Sequence, residues 1–353
     1  MRSPYDDLPP QAFWRTAIVR QKPEALAHLY HPKFDLTANT AIMTAGSCFA
    51  QHIHRSLSTA GWHVLQHESR ADIMPLKLAK QYGYDVYSAR YGNIYTARQL
   101  LQLLTEALND TPTAPLIWQK DGRYYDALRP SIEPEGFASR DSVIHARQEH
   151  LRAVRALLQQ TECIVFTLGL TECWIDSATG RALPTAPGTV AGDYDSSQTH
   201  FHNFTHSEVL ADLRAARDLL KSHGLAHRFL LTVSPVPLTA TATGNHIGTA
   251  STYSKSVLRG VCGELDQTDP DFSYFPSYEI ITTAVAGGPH FAKNMRSPTP
   301  EGVDAVLGIF AMSHATDTAT TPPSVPVPPT DDTAATEEDD LICEEALLEA
   351  FSK

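Results

Sequence analysis

The sequence predicts an α/β fold, a three-layer α/β/α sandwich in which helices cover both faces of a central parallel sheet. Short runs rich in β-branched and aromatic residues alternate with longer stretches of helical periodicity, and this alternation is typical of βαβ units. The predicted strands cover residues 41–45, 62–66, 163–168, 229–233 and 272–275. Since parallel strands end at one edge of a sheet, we expect the functional side chains in the loops that follow them.

The helices are predicted from start and stop signals as well as from periodicity. Thr205, with Glu208 three residues later, has the pattern of a capping box, and Gly224 ends the same helix. Thr299 before Pro300 is the pattern of an N-cap with a first-turn proline. The predicted helices cover residues 49–60, 97–108, 141–160, 205–223 and 300–312.

Composition separates a nearly neutral body from an acidic tail. Hydrophobic residues make up 42% of the 353-residue chain, which is enough for a buried core. Residues 315–353 contain ten of the 40 acidic residues and one lysine, so most of the formal charge of -12 lies there. Because lysine and arginine form no cluster in the body, no nucleic-acid partner is expected. No apolar run has the length of a signal peptide or a membrane span, which predicts a soluble, cytoplasmic protein.

The cysteines and histidines do not predict a metal site. The five cysteines are odd in number and include no CxxC pair, so we expect free thiols rather than disulfides or a zinc site. Among the 16 histidines, those spaced by two residues have no third ligand at a clear spacing. We therefore expect neither a metal nor a cofactor.

Three segments are predicted along the chain. Residues 1–314 carry the alternating pattern and form one domain. Residues 315–340 are rich in Thr, Pro and acidic residues, with too few large apolar side chains to offset the cost of ordering, and are predicted to be a disordered linker. Residues 341–353 have an apolar stripe opposite glutamates, which predicts a short amphipathic helix that docks on a protein partner or on its own domain.

The first predicted strand becomes a helix within residues 44–50, TAGSCFA. Ser47 would lie at the carboxyl edge of the sheet, near a helix N-terminus whose N–H groups and dipole stabilise a developing oxyanion. The pattern also fits a plain turn with a helix N-cap. Cys48 is an alternative nucleophile, because a helix N-terminus lowers the pKa of a thiol.

Six further motifs accompany the string GSCFA. They are YGNIYTARQL, FTLGLTECW, FHNF, LTVSPVPLTAT, YSKSVLR and YFPSYEII. Together the motifs resemble the GSCFA family, in particular its proteobacterial members, over most of residues 10–310. GSCFA proteins are similar to SGNH hydrolases, which have a three-layer, flavodoxin-like fold and remove or transfer the acyl groups of carbohydrates and lipids. The resemblance therefore implies a serine esterase or an O-acyltransferase.

The resemblance also implies roles for individual residues. Ser47 matches the serine that attacks the ester carbonyl. Gly92, with Asn93, matches the second motif, whose glycine N–H helps to hold the oxyanion. Thr171 stands where the asparagine of the third motif would be. Because a threonine hydroxyl is shorter than an asparagine amide, Asn93 is the alternative side-chain donor.

The chain departs from the SGNH pattern near its end. SGNH enzymes carry Asp-x-x-His there, whereas residues 294–297 of this chain are NMRS. His246, and after it His290, are the predicted substitutes for the base, because both lie in loops at the carboxyl edge of the sheet. Glu172 would orient a histidine, carry a proton or cap its segment.

We predict a serine esterase or O-acyltransferase that acts on an acylated glycan or glycoconjugate precursor. Lys255 and Arg259, in YSKSVLR, are predicted to bind an anionic or sugar-like substrate. The missing Asp-x-x-His motif leaves a second prediction open, a catalytically silent SGNH-like protein that binds a carbohydrate or a protein partner. A third is a scaffold whose acidic tail is the functional part.

Overall fold

A parallel sheet forms the centre of the domain. The computed structural model describes residues 2–20, 26, 28–109, 113–314 and 343–352. In chain order its strands are β1 Ile42–Gly46, β2 Ile117–Lys120, β3 Arg123–Asp126, β4 Cys163–Leu168, β5 Glu172–Asp176, β6 Ala182–Leu183, β7 Thr199–Asn203, β8 Arg228–Val233 and β9 Phe272–Tyr274. Among these described strands, four form the central sheet in the order β1-β4-β8-β9, and all neighbours in it are parallel.

Helices cover both faces of this sheet, which confirms the predicted three-layer α/β/α sandwich. In chain order they are α1 Phe49–Thr59, α2 Leu76–Gln81, α3 Ala97–Leu108, α4 Arg140–Gln160, α5 His206–Ser222, α6 Ile247–Thr268, α7 Ser277–Thr282 and α8 Pro300–His314. One face packs against α3, α4, α5 and α6 in a core that contains Phe166 and Leu231. The other packs against α1, α7 and α8 in a core that contains Val165 and Leu230. Successive strand residues point to opposite faces, so each strand contributes to both cores.

One predicted strand is wrong. Residues 62–66 form a single bridge, between Val64 and Ile42, instead of a strand. The segment meets the sheet only there, because the His67 N–H already donates to Ser88 O at 2.7 Å and takes the chain away from the edge of β1. The other predicted strands correspond to β1, β4, β8 and β9.

Helix α6 and the antiparallel sheet β6-β5-β7 are additional to the predicted elements. The first turns of α6 consist of Gly-, Thr- and Ser-rich residues 248–252, a composition that is typical of a loop. His246 nevertheless caps this helix, because its Nδ1 accepts a hydrogen bond from the Gly248 N–H at 3.1 Å. The predicted loop histidine is therefore the N-cap of a 22-residue helix.

The end of the chain packs against the domain. The predicted linker, residues 315–340, lies outside the described residues, as do residues 341–342 and 353. Within the described residues 343–352, Glu344–Phe351 form a 3-10 helix. Glu344 is buried, with only 2% of its surface exposed.

None of the described helices combines the length and the apolar character needed to cross a membrane. The same residues contain no group of three or more His, Cys, Asp or Glu side chains that could hold a metal ion.

Candidate active site

Ser47 lies in the turn between β1 and α1. Strand β1 ends at Gly46, whose φ of +142° is one that residues with a side chain rarely adopt. A Cβ at this position would lie 2.4 Å from the backbone oxygen of Thr167 in β4. The Ser47 N–H donates to the same oxygen at 3.1 Å. The close approach of β1 and β4 therefore requires glycine at position 46 and fixes the backbone of the serine.

Gly46→Ala is expected to lower the free energy of unfolding by more than about 3 kcal/mol, because the clash with Thr167 O adds to backbone strain. Gly61→Ala is the matched control, since Gly61 also has a positive φ, +81°, but no atom lies within 4 Å of a Cβ there. The control should lose only about 1–2 kcal/mol. Urea denaturation measures both losses, and equal values would show that the contact with β4 is not tight.

The Ser47 hydroxyl is buried and unpaired. Ser47 exposes 2% of its surface, and its Oγ has no hydrogen-bond partner among the described residues. A buried hydroxyl without a partner costs free energy, so its presence calls for a functional or structural reason. Gly169, just after β4, packs directly against it, because a Cβ there would lie 2.9 Å from Ser47 Cβ. Gly169 therefore packs on the Ser47 side chain, whose buried hydroxyl has no partner among the described residues.

An oriented amide lies beside this turn. The Tyr87 hydroxyl donates to Asn93 Oδ1 and lies 3.0 Å from the backbone oxygen of Ser47. Gln51 Nε2 also donates to Asn93 Oδ1, at 3.2 Å. With its oxygen held by two donors, Asn93 presents Nδ2 as a donor, and Nδ2 donates to the Glu344 carboxylate at 2.5 Å. The structure thus links the predicted donor Asn93 to Ser47 through a single tyrosine hydroxyl.

Gly92 and Thr171 occupy different surroundings. Gly92 lies beside the same carboxylate as Asn93, because a Cβ at position 92 would be 4.0 Å from Glu344 Oε1. The Thr171 hydroxyl instead donates to Asn203 Oδ1 at 2.6 Å. This bond ties the segment before β5 to the end of β7. Gly92 and Asn93 therefore lie beside the same carboxylate, that of Glu344, whereas the Thr171 hydroxyl bonds to Asn203.

Helix α6 holds the loop that follows β4. Ser254 Oγ accepts a hydrogen bond from the Thr171 N–H at 2.9 Å, and Lys255 Nζ donates to Gly169 O at 2.6 Å. Burial lowers the pKa of Lys255 to about 8, although Glu345 and Cys48 oppose the shift. The YSKSVLR motif therefore positions the loop that packs on Ser47 and places an ammonium group beside it.

Arg259, one turn further along α6, contacts other elements. Its Nε donates to the Glu279 carboxylate at 2.5 Å, and its guanidinium carbon lies 4.0 Å from the centre of the Tyr274 ring. These contacts join α6 to α7 and β9. None of its described contacts is to the residues around Ser47.

The two predicted histidine bases have other partners. His246 is exposed and caps α6. His290 Nε2 lies 3.0 Å from the backbone oxygen of Ala286. Since the Ser47 hydroxyl is unpaired in the described part of the chain, neither imidazole is in hydrogen-bond contact with it.

Glu172 fastens a neighbouring loop. Its carboxylate accepts hydrogen bonds from the Thr241 hydroxyl at 2.7 Å and from the Ala242 N–H at 3.2 Å. Burial raises the pKa of the carboxyl group, and these two hydrogen bonds partly oppose that shift. The contacts join the start of β5 to the loop after β8.

Cys48 is adjacent to Ser47 but is a poor nucleophile. A hydrogen bond with the Cys343 thiol, and after it burial, raise the pKa of Cys48 well above its usual value. The thiolate is the reactive form of cysteine, and a raised pKa makes it scarce at neutral pH. This environment favours Ser47 over its neighbour.

An arginine lies in the segment that replaces the Asp-x-x-His motif. Arg296, within residues 294–297, approaches Glu345 at 3.7 Å and Glu349 at 3.9 Å. Sequence reasoning singled out neither Arg296 nor Tyr87. The position of Arg296 in the altered motif was the one available signal for it, and Tyr87 lies outside every motif.

Comparison with known proteins identifies the family. The GSCFA family model matches residues 41–310, and no curated protein matches the chain significantly. A solved structure of a GDSL-like lipase from Bacteroides thetaiotaomicron is similar at 15% identity and a TM-score of 0.27, over 50% of this chain and 71% of the lipase. A mutant of an acetyl-xylooligosaccharide esterase from Geobacillus stearmophilus is similar at 10% identity and a TM-score of 0.32, over 81% of this chain and 100% of the esterase. Because the family match covers more than half of the chain and includes the Ser47 turn, the protein belongs to the GSCFA family.

Proposed function

We propose that this GSCFA protein is a serine ester hydrolase or O-acyltransferase with Ser47 as its nucleophile. One observation carries the proposal: Ser47 lies at the strand-to-helix turn after β1, and the Tyr87 hydroxyl that contacts its backbone oxygen also orients the amide of Asn93. The oxyanion that a serine nucleophile creates needs hydrogen-bond donors already in place. The oriented amide of Asn93 supports this requirement.

In the proposed reaction, Ser47 Oγ attacks the carbonyl carbon of an acyl ester. The Oγ–C bond forms, the hydroxyl proton passes to a base, and Asn93 Nδ2 stabilises the charge that develops on the carbonyl oxygen. The ester C–O bond then breaks, and the alcohol leaves with a proton. Water releases the acid from the acyl-enzyme, or a second alcohol accepts the acyl group.

We propose His246 as the general base, with His290 and then Glu172 as alternatives. Glu172 follows β4 and His246 ends the segment after β8, so both lie in segments that leave the carboxyl ends of sheet strands, whereas His290 lies in the segment after α7. Catalytic hydrogen bonds are often long without substrate and tighten in its presence, which supports keeping these groups as candidates. Lys255 joins them, because its lowered pKa brings the neutral amine near physiological pH and it holds the loop that packs on Ser47.

Acyl esters of a glycan or glycoconjugate precursor are the proposed substrates. Membership of the GSCFA family and the resemblance of that family to SGNH enzymes support this class. All five cysteines are free thiols, which supports the proposal that the protein acts in the cytoplasm. Addition of a methyl glycoside to an ester hydrolysis assay separates transfer from hydrolysis, because only transfer yields the acylated glycoside.

A catalytically silent binding protein is the second candidate function. One observation favours it: no described side chain accepts a hydrogen bond from the Ser47 hydroxyl. A serine without a base is a weak nucleophile. Such a protein would bind an acylated glycan or a protein partner and would not turn over esters.

The base is tested with a short activated ester such as p-nitrophenyl acetate. His246→Gln is expected to lower turnover on the order of a hundredfold or more, as the loss of a general base does. His290→Gln, Glu172→Gln and Lys255→Met are compared with it, and His223→Gln, in an exposed histidine after α5, is the control. Near-normal rates in all the candidate variants would exclude every proposed base. No turnover by the wild type, even with Glu344 replaced by alanine, would favour the silent protein.

A further inference from the structure

The C-terminal segment, residues 343–352, packs on the residues around Ser47. Its first residues make the contacts, and the helix Glu344–Phe351 continues from them. Glu344 is as buried as Ser47, since each exposes 2% of its surface. A glutamate is rarely buried to this extent unless its charge is matched by donors. The partners of this carboxylate therefore matter for the site.

The Glu344 carboxylate accepts hydrogen bonds from three side chains. Asn93 Nδ2 and the Tyr95 hydroxyl donate to Oε2 at 2.5 Å and 2.8 Å, and the Ser131 hydroxyl donates to Oε1. Removing an ionised carboxylate from water is costly unless other donors replace the water. Hydrogen bonds to an ionised acceptor are stronger than neutral ones, so three of them hold a two-oxygen anion well.

The residues on either side of Glu344 extend the contact. The Cys343 sulfur lies 3.9 Å from the Tyr95 hydroxyl oxygen and shares a hydrogen bond with the Cys48 thiol. Glu345 approaches Arg296 at 3.7 Å. Three consecutive residues of the segment thus meet the residue next to Ser47, the oriented Asn93 and the altered end motif.

We propose that Asn93, Tyr95 and Ser131 form a carboxylate-binding subsite of the active site, and that Glu344 fills this subsite and keeps ester substrates out. The inference rests on the function proposed for Ser47 and adds its regulation. The amide that would stabilise the oxyanion is already bound to Glu344. An incoming ester and the segment therefore compete for the same donor.

The chemistry of the subsite explains why a carboxylate fits it. The tetrahedral intermediate of ester cleavage carries one negative oxygen, and the acid product shares one negative charge between two oxygens. Donors placed for such a developing charge bind a carboxylate in the same way. Only protein molecules in which the segment is displaced can bind an ester. The apparent turnover is therefore the intrinsic turnover multiplied by the fraction of such molecules.

The test uses the full chain and two measurements. Glu344→Ala removes the carboxylate from its three donors, and Glu149→Ala is the matched control, because 58% of the Glu149 side chain is exposed and its ion pair is with His145 in the same helix, α4. Hydrolysis of p-nitrophenyl acetate reports access to the site. Amide hydrogen exchange of the peptide containing residues 343–352 reports docking without any need for turnover.

Glu344→Ala is expected to raise kcat/KM about tenfold or more and to speed exchange in residues 343–352, because the docked state loses its main polar contacts. Glu149→Ala should match the wild type in both measurements. Faster exchange with unchanged turnover would contradict the proposal that Glu344 keeps esters out of the site. Faster exchange with lower turnover would show that the segment contributes to catalysis instead.

The two measurements also separate this inference from the esterase proposal. If every variant hydrolyses the ester and amide exchange in residues 343–352 does not depend on Glu344, the carboxylate subsite is refuted and the esterase proposal stands. If no variant hydrolyses the ester but amide exchange in residues 343–352 is slowed by Glu344, the esterase proposal is refuted. The proposed exclusion of esters by Glu344 is then refuted with it.

Discussion

Ser47→Ala is expected to lower ester turnover by about a thousandfold or more, because the acyl-enzyme can no longer form. The same variant should be as stable as the wild type, or slightly more stable. The Ser47 hydroxyl forms no hydrogen bond with the described residues, so its burial is a cost that alanine removes. Loss of turnover with retained stability is the signature of a nucleophile rather than of a structural residue.

Steady-state hydrolysis of an activated ester and urea denaturation measure the two effects. Ser58→Ala is the matched control in α1, since the Ser58 hydroxyl donates to His54 O at 2.8 Å and has no described contact with Ser47. The control should keep wild-type turnover. Full turnover by Ser47→Ala, after the same purification, would contradict the assignment of the nucleophile.

Asn93→Ala is expected to lower kcat by about a hundredfold to a thousandfold with a smaller change in KM, as the loss of an oxyanion donor does. The substitution is made in the Glu344→Ala protein, so that release of the C-terminal segment does not mask the loss. The reason is geometric, because Gln51 and Tyr87 hold the amide oxygen and leave Nδ2 to donate.

Thr171→Val in the same background is the comparison. SGNH enzymes place an asparagine at the position of Thr171, but its hydroxyl donates to Asn203 here. We expect kcat to stay close to that of the parent protein. A larger loss from Thr171→Val than from Asn93→Ala would show that the third-motif position, and not Asn93, supplies the oxyanion donor.

The fold was predictable where local signals and burial agree. The capping box predicted at Thr205 and Glu208 is present, and the apolar runs of β4 and β8 are buried strands as expected for a parallel sheet. The start of α6 was not predicted, because its composition is typical of a loop. The start of α6 has loop-like residues 248–252 and is stabilised by the His246 cap and by packing of the later turns.

The site was predictable in part. The Gly-Ser pair at the end of β1 indicated the turn, and the resemblance indicated Asn93. The contacts of Glu344 and Arg296 follow no periodicity, because they join segments that are far apart in the chain, and one sequence gives no signal for such pairs. The described C-terminal residues include a 3-10 helix, and its place against Asn93 was not predictable from one sequence.

Covalent trapping of the nucleophile is the most direct measurement. The wild-type and Glu344→Ala proteins are incubated with a fluorophosphonate, which reacts with activated serines, and their peptides are analysed by mass spectrometry. The expected adduct is on Ser47 in both proteins, forms faster in Glu344→Ala and is absent from Ser47→Ala. An adduct on another residue, or no adduct in either protein, would contradict the assignment of Ser47 as the nucleophile.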